Sequence, residues 1–326
     1  MDYKSLGNTG IKVSEICLGT MQFGWTADKT TSHQILDKAV ELGINFIDTA
    51  NLYSRWSDKS YAGKTEEIIG NWLKETGNRD DLILATKVKG QMGEGLNDQG
   101  LSRRHIHHQV KQSLKRLKTK WIDLYQSHSF DESTPIKETL EVYTDLIREG
   151  KVNYIGASNY PAWKLVEALH VSEKYNLAKY QSIQPYYSLA RRLRYDDDLR
   201  EVCVKYNVGV IPYSPLAAGF LTGKYKQDQE LPQSDRATGI KNQFFNERGW
   251  AILEILENIC SEKGITTAQG GLAWVMQRPG ITSPIIGANT VEQLEETIKA
   301  VEITFTEDEM DQLNEVSSIE SNLIIS

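Results

Sequence analysis

The chain has 326 residues, 37 Lys and Arg against 44 Asp and Glu, a formal net charge of −7, and 40% hydrophobic residues. A net acidic chain lacks the basic footprint of a nucleic-acid binder, and no uninterrupted run of about 18 apolar residues offers a membrane-spanning helix. The opening MDYKSLGNTG carries an acid and no apolar signal core, and the three distant cysteines Cys17, Cys203 and Cys260 form neither a disulfide framework nor a C-x-x-C pair, so a cytoplasmic protein with buried free thiols is expected.

In chain order, Tyr3-Lys4-Ser5-Leu6 and Ile11-Lys12-Val13-Ser14 flank the turn-forming Gly7-Asn8-Thr9-Gly10 and predict a hairpin. Short apolar runs then alternate with amphipathic stretches. Strands are expected at 16–19, 44–48, 82–86, 121–126, 152–157, 180–184, 208–213 and 283–287. Helical periodicity marks 32–42, 65–76, 103–118, 135–149, 161–175, 196–206, 249–263 and 291–300. Gly43, Gly77, Gly150, Gly209 and Gly264 sit past helix ends or just before strands, as punctuation. Strands apolar on both faces and separated by helices require a parallel sheet covered by helices, and eight such units close naturally into an α/β (β/α)8 barrel. We expect one domain over 1–326, with the N-terminal hairpin able to cap the bottom of the barrel and an extra C-terminal helical segment. The stretch 224–248 is polar, contains Pro and Gly, and reads as a lid, a binding loop or disorder.

Several chemistries fail on motif grounds. G-x-G-x-x-G is absent, Gly219-Phe-Leu-Thr-Gly223-Lys224 is one residue short of a P-loop and is followed by Tyr225, and H-E-x-x-H does not occur. His105, His107 and His108 lie in a basic helix and read as a solvated face without a third metal ligand.

In a parallel barrel, chemistry gathers at the C-terminal ends of the strands. Asp48 ends the second strand and leads to Tyr53, Lys87 ends the third, and His128 follows the fourth. Asp48 and Lys87 close apolar runs, so both are expected buried and each supplies the other's counter-ion. A phenol is a poor acid at neutral pH unless an ammonium stabilises its phenolate. Tyr53 is therefore the candidate general acid, Lys87 its tuner, Asp48 the group holding Lys87 charged, and His128 a donor to a carbonyl oxygen. Each residue alone has a structural alternative: a buried pair, a packed aromatic, a core histidine.

These four positions, with the motifs around and beyond them, resemble the aldo-keto reductase superfamily over nearly the whole length. The motifs are Leu18-Gly19-Thr20-Met21-Gln22-Phe23-Gly24, Gly63-Lys64-Thr65-Glu66, Gly156-Ala157-Ser158-Asn159, Gln184-Pro185-Tyr186-Tyr187-Ser188-Leu189, Tyr213-Ser214-Pro215-Leu216 with Gly219 and Lys224, and Gly287-Ala288-Asn289-Thr290 with Gln293. The resemblance implies a barrel oxidoreductase that reduces aldehydes and ketones with NADPH, NADH being possible, through an Asp, Tyr, Lys, His tetrad. It places Gly19, Thr20, Met21 and Asp48 at the cofactor, Ser158, Asn159 and Gln184 at the nicotinamide carboxamide, and Tyr213 under the ring. Ser214, Pro215, Leu216, Gly219 and Lys224 would track the pyrophosphate, and Gly287, Asn289, Thr290 and Gln293 the adenosine. For Ser158 a helix N-cap region before Pro161 is an equal alternative.

The chain departs from the family pattern at Asn289, where many relatives carry the Arg or Lys that clamps a 2′-phosphate, and at Thr297, where they carry Asn. The loop after Tyr53, residues 54–61, is longer than the minimal form; Trp56 within it, with Trp25, is expected to shape a substrate pocket beside Tyr53 and His128, surface packing being the alternative. The partner implied is a small carbonyl compound, with no metal, no nucleic acid and no membrane, and no oligomeric state is assigned. A catalytically weak regulatory subunit resembling the potassium-channel beta subunits is the competing reading.

Overall fold

A computed structural model describes residues 1–58, 60–227 and 237–318. β1 (Tyr3–Ser5) and β2 (Lys12–Ser14) form the antiparallel hairpin, Lys4 opposite Val13. There follow β3 (Cys17–Gly19), α1 (Lys29–Glu41), β4 (Phe46–Asp48), α2 (Lys64–Thr76), β5 (Ile83–Val88), α3 (Arg103–Leu117), β6 (Ile122–Ser127), α4 (Ile136–Arg148), β7 (Val152–Ser158), α5 (Ala162–Tyr175) and β8 (Tyr180–Gln184). The remainder is α6 (Arg200–Tyr206), β9 (Gly209–Val210), α7 (Ala237–Phe244), α8 (Glu247–Lys263), α9 (Thr267–Met276), β10 (Ile285–Ile286), α10 (Val291–Ile298) and α11 (Glu307–Val316).

Eight strands form one parallel sheet in the order β10-β3-β4-β5-β6-β7-β8-β9. Its two ends meet, because Val210 bridges Ile281 and Tyr213 bridges Ile285, with the Ile285 N–H donating to the Pro212 carbonyl at 2.8 Å. The expected (β/α)8 barrel is therefore what the chain forms, with the hairpin before it and α11 as the extra C-terminal helix. Among the described residues no helix is long and apolar enough to cross a membrane, and no group of three His, Cys, Asp or Glu side chains is placed to hold a metal ion.

Strand alternation builds the barrel interior in layers. Cys17, Phe46, Ala85, Leu124, Ile211 and Ile285 point inward and pack with Leu6 and Val13 of the hairpin, which closes the lower mouth. Gly7, at φ +54°, turns the hairpin so close to β8 that a Cβ there would lie 2.2 Å from the Gln181 carbonyl oxygen. Two residues further along the same strands, on the same face, stand Gly19, Asp48, Lys87 and Gln126. The upper layer of the interior is thus polar, directly on an apolar one.

Three expectations need correction. The stretch 224–248 is not wholly irregular: it contains α7 and the start of α8, which Asn246 caps by accepting from the Gly249 N–H, while 228–236 lie outside the described residues. Between α8 and β10 there is a further helix, α9, that periodicity does not reveal. Eight of its ten residues are buried, so it carries no polar stripe. A Cβ at Gly270 would sit 2.3 Å from Cys260 Sγ, which is how closely α9 packs on α8. His105 departs from the solvated face expected for it, being buried on α3.

Candidate active site

Asp48 is the last residue of β4 and Lys87 the last but one of the adjacent β5, and neither is more than 1% exposed. Lys87 Nζ has three protons and uses all of them: 2.5 Å to Asp48 Oδ2, 3.0 Å to the Thr49 carbonyl oxygen and 2.8 Å to the Tyr53 hydroxyl. An ammonium only donates, so the Tyr53 oxygen accepts and its own proton is left to point away from Lys87. Burial pulls the Lys87 pKa down, but the Asp48 charge and the Tyr53 oxygen oppose this and hold it above the ordinary lysine value. Lys87 therefore stays charged.

The Tyr53 phenol is displaced upward, burial being the largest cause and the Lys87 charge acting against it. The expected lowering by Lys87 is present but is outweighed by desolvation. In this state Tyr53 holds its proton at neutral pH. His128 lies edge-on to the Tyr53 ring, with centroids 6.0 Å apart. Burial, then Lys87 and Lys89, press its pKa down to about 3, so the imidazole is neutral. Its Nδ1 is buried without a partner among the described residues.

The other Asp48 oxygen holds a residue that sequence reasoning missed. Oδ1 accepts from Gln126 Nε2 at 2.9 Å and from Gln184 Nε2 at 3.0 Å, and Gln184 Nε2 also donates to Gln126 Oε1 at 3.3 Å. The one available signal was parity: Gln126 follows the inward-facing Leu124 by two and pairs with Lys87 across β5 and β6.

Above this floor lies a cleft of about 650 Å³. Of the sequence candidates, Gly19, Thr20, Met21, Asp48, Ser158, Asn159, Gln184, Tyr213, Ser214, Pro215, Leu216, Gly219, Lys224, Gly287, Asn289 and Gln293 line it, as do Trp25, Tyr53, Trp56 and His128. Two do not. Lys87 lies beneath the floor, reaching the cleft through Tyr53, and the Thr290 hydroxyl caps α10 by accepting from the Gln293 N–H. Thr297, noted as a departure, lines the cleft too, and so do Gln22, Thr26, Thr222 and Glu296, which sequence reasoning did not single out.

The cleft has four chemically distinct parts. At the floor, Ser158 Oγ donates to the Gln184 carbonyl, Asn159 Nδ2 donates to the His128 carbonyl and to Ser158 Oγ, and the Tyr213 hydroxyl donates to Asn159 Oδ1 at 3.0 Å. Tyr213, itself against Tyr186 at 5.2 Å, is thereby held as a wall. Trp25 and Trp56 meet edge-on at 5.6 Å over the mouth, and Trp56 touches Tyr53 at 6.0 Å. Beyond β9, Ser214, Ala217, Ala218 and Gly219 all take positive φ, which turns the chain tightly beside the cleft, with the Ala217 and Gly219 N–H groups donating to the Ser214 and Leu216 carbonyls. Lys224 stands beside it, its Nζ 3.6 Å from where a Gly219 Cβ would be. The far end is neutral or acidic: Asn289 accepts from Thr26 at 2.6 Å, and its N–H donates to Gln293.

A phenol whose anion a buried ammonium stabilises, a neutral imidazole and a long cleft with an amide-rich floor suit protonation of a polarised oxygen beside a flat, phosphate-bearing ligand. Residues 15–318 match the family model described as the aldo/keto reductase family. The chain is similar to the uncharacterized oxidoreductase YrpG of Bacillus subtilis, 41% identical over 97% of this chain and 96% of that protein. It is also similar to a putative voltage-gated potassium channel subunit beta of Schizosaccharomyces pombe (34% identical; 92% of this chain, 88% of that one) and to the versiconal hemiacetal acetate reductase of Aspergillus parasiticus (32% identical; 97% and 96%). With the family model covering nearly the whole chain, a closed eight-stranded barrel and these relatives, the chain belongs to the aldo/keto reductase family of oxidoreductases.

Proposed function

We propose that this protein reduces aldehyde or ketone carbonyls of small molecules to alcohols, reversibly, with NADPH as hydride donor and Tyr53 as proton donor, residues 1–326 acting as one unit in the cytoplasm. The observation that carries this reading is the Tyr53 hydroxyl on the cleft floor, 2.8 Å from a Lys87 ammonium that is itself paired with Asp48. The family generally uses NAD(P)H, and when bound the nicotinamide supplies the hydride. The residues present fit it. Tyr213 offers a flat wall, the floor is rich in amides, and the Lys224 ammonium with the Ser214 hydroxyl on the cleft lining suits a pyrophosphate.

The chain's own groups do the remaining work. Tyr53 donates its proton to the carbonyl oxygen, and Lys87, kept charged by Asp48, stabilises the phenolate left behind. Neutral His128 orients that oxygen without competing for its proton. Trp25 and Trp56 screen the reacting oxygen from water, which strengthens both interactions. At the adenosine end no arginine among the described residues lines the cleft, and Glu296 adds a carboxylate. NADPH leads on the resemblance to the family, and its margin over NADH is modest, since a phosphate dianion is matched best by a cation.

The relatives named as channel beta subunits favour one further reading, a regulatory protein that holds cofactor and turns over little. NADPH consumption measured with a panel of aldehydes separates the two. Sustained turnover supports the reductase, bound cofactor without turnover favours the regulator, and no binding of either nucleotide overturns both.

A further inference from the structure

The floor of the cleft has an unusual polarity, and it results from donor and acceptor counting. The Asp48 carboxylate can only accept, so the two glutamine amides that touch its Oδ1 must both present NH2 to it. Gln184 then uses both its hydrogens inside the protein, one on Asp48 Oδ1 at 3.0 Å and one on Gln126 Oε1 at 3.3 Å. Its Oε1 accepts from none of the described residues and borders the cleft. Ser158 and Asn159 beside it likewise have no proton left to give, the hydroxyl proton lying on the Gln184 carbonyl and both amide protons on His128 O and Ser158 Oγ, while Asn159 Oδ1 and Ser158 Oγ already accept from Tyr213 and Asn159. This part of the floor therefore faces a ligand with acceptors.

We infer that Asp48, acting together with Gln126, fixes the polarity of the Gln184 amide, so that the floor recognises a ligand group that donates, a primary amide NH2, and rejects a group of the same shape that only accepts. Gln126 is a positioning residue in this arrangement: it adds the second acceptor that stops the Gln184 amide from turning over. The inference rests on the proposal that a nicotinamide nucleotide occupies the cleft, and it assigns a second task to Asp48. The same carboxylate that keeps Lys87 charged through Oδ2 sets, through Oδ1, which end of the cofactor reader points at the ligand.

The test compares dissociation constants, by quenching of protein fluorescence, for NADP+ and for its 3-acetylpyridine analogue, in which a methyl ketone replaces the carboxamide and no N–H remains. Wild type is expected to bind NADP+ about tenfold more tightly, because the analogue leaves Gln184 Oε1 buried and unpaired. In Asp48→Asn, Lys87 retains the amide oxygen and the new NH2 faces the glutamines, which obliges Gln184 to turn its own NH2 toward the ligand. The preference should then fall to about unity or reverse. Gln126→Leu should lower it about threefold, and Gln184→Leu should abolish it. A wild-type preference kept intact by Asp48→Asn or by Gln126→Leu overturns the inference while leaving the nicotinamide reading in place. Equal affinity of wild type for the two nucleotides overturns it without any variant. Failure of wild type to bind either nucleotide overturns the underlying reading instead.

Discussion

The lower and upper layers of the barrel interior use the same strands and the same inward face, yet they obey opposite rules. Below, Phe46, Ala85 and Leu124 pack with the hairpin residues Leu6 and Val13 and have no polar group to satisfy. Above, two residues further on, Asp48, Lys87 and Gln126 are just as buried, and each is held by a hydrogen bond or a counter-charge. The apolar layer tolerates volume change at a cost that grows with the cavity. The polar layer is exacting, because removing one member leaves another charged or unpaired in a medium that solvates it poorly.

The largest expected effect tests the upper layer's chemistry. Tyr53→Phe deletes the proton donor and leaves the Asp48–Lys87 pair intact, so kcat for aldehyde reduction should fall about 10²- to 10⁴-fold with the NADPH dissociation constant nearly unchanged. Wild-type turnover would mean the donor lies elsewhere. Lys87→Met should remove activity and also cost about 3–5 kcal/mol in urea unfolding, since Asp48 becomes an uncompensated buried charge. Adding Asp48→Asn should restore part of that stability, and a purely additive double variant would deny the coupling.

Leu124→Ala, one layer below, is expected to cost about 2–5 kcal/mol while kcat per folded molecule stays close to wild type. A large loss of kcat would show that the layers are not independent. His128 gives a gentler, pH-dependent contrast. Its folded pKa of about 3 lies below its ordinary value, so the unfolded chain binds the extra proton first. The stability this group contributes is present above about pH 6.5 and declines as the pH falls toward 3. Denaturation midpoints at pH 7, 6 and 5 should fall more steeply in wild type than in His128→Gln. The smallest effect is at the far end of the cleft, where Asn289→Arg should raise the NADPH-to-NADH ratio of kcat/KM several-fold at fixed ionic strength. An unmoved ratio would place that side chain away from the ribose phosphate.

The barrel was legible in the sequence wherever an element had two different faces. Strands were bounded by turn residues and most helices carried an apolar stripe, so the eight strands stood out in the right places. α9 did not, because a helix buried on nearly all sides has no stripe to read and its two glycines resemble a breaker until the contact with α8 is known. At the site, Asp48 and Lys87 were readable as ions at the ends of apolar runs, an expensive arrangement unless they are paired. Tyr53 and His128 were readable from their places just beyond strand ends. Gln126 was not readable, since a neutral amide in a strand announces nothing until strand register sets it beside Lys87.

The linear chain by itself determined which residues alternate inward and where strands end, since these depend on near neighbours and on a period of two. It also determined that the buried acid and amine must find partners. Only the tertiary structure decided who those partners are: that Lys87 uses its third proton on Tyr53, that burial rather than charge governs the Tyr53 pKa, and that Thr290 caps its helix instead of facing the cleft. Each of these depends on which atoms lie within about 3 Å across strands and loops distant in sequence, and hydrogen-bond strength falls away too steeply with distance and angle for local pattern to stand in for that geometry.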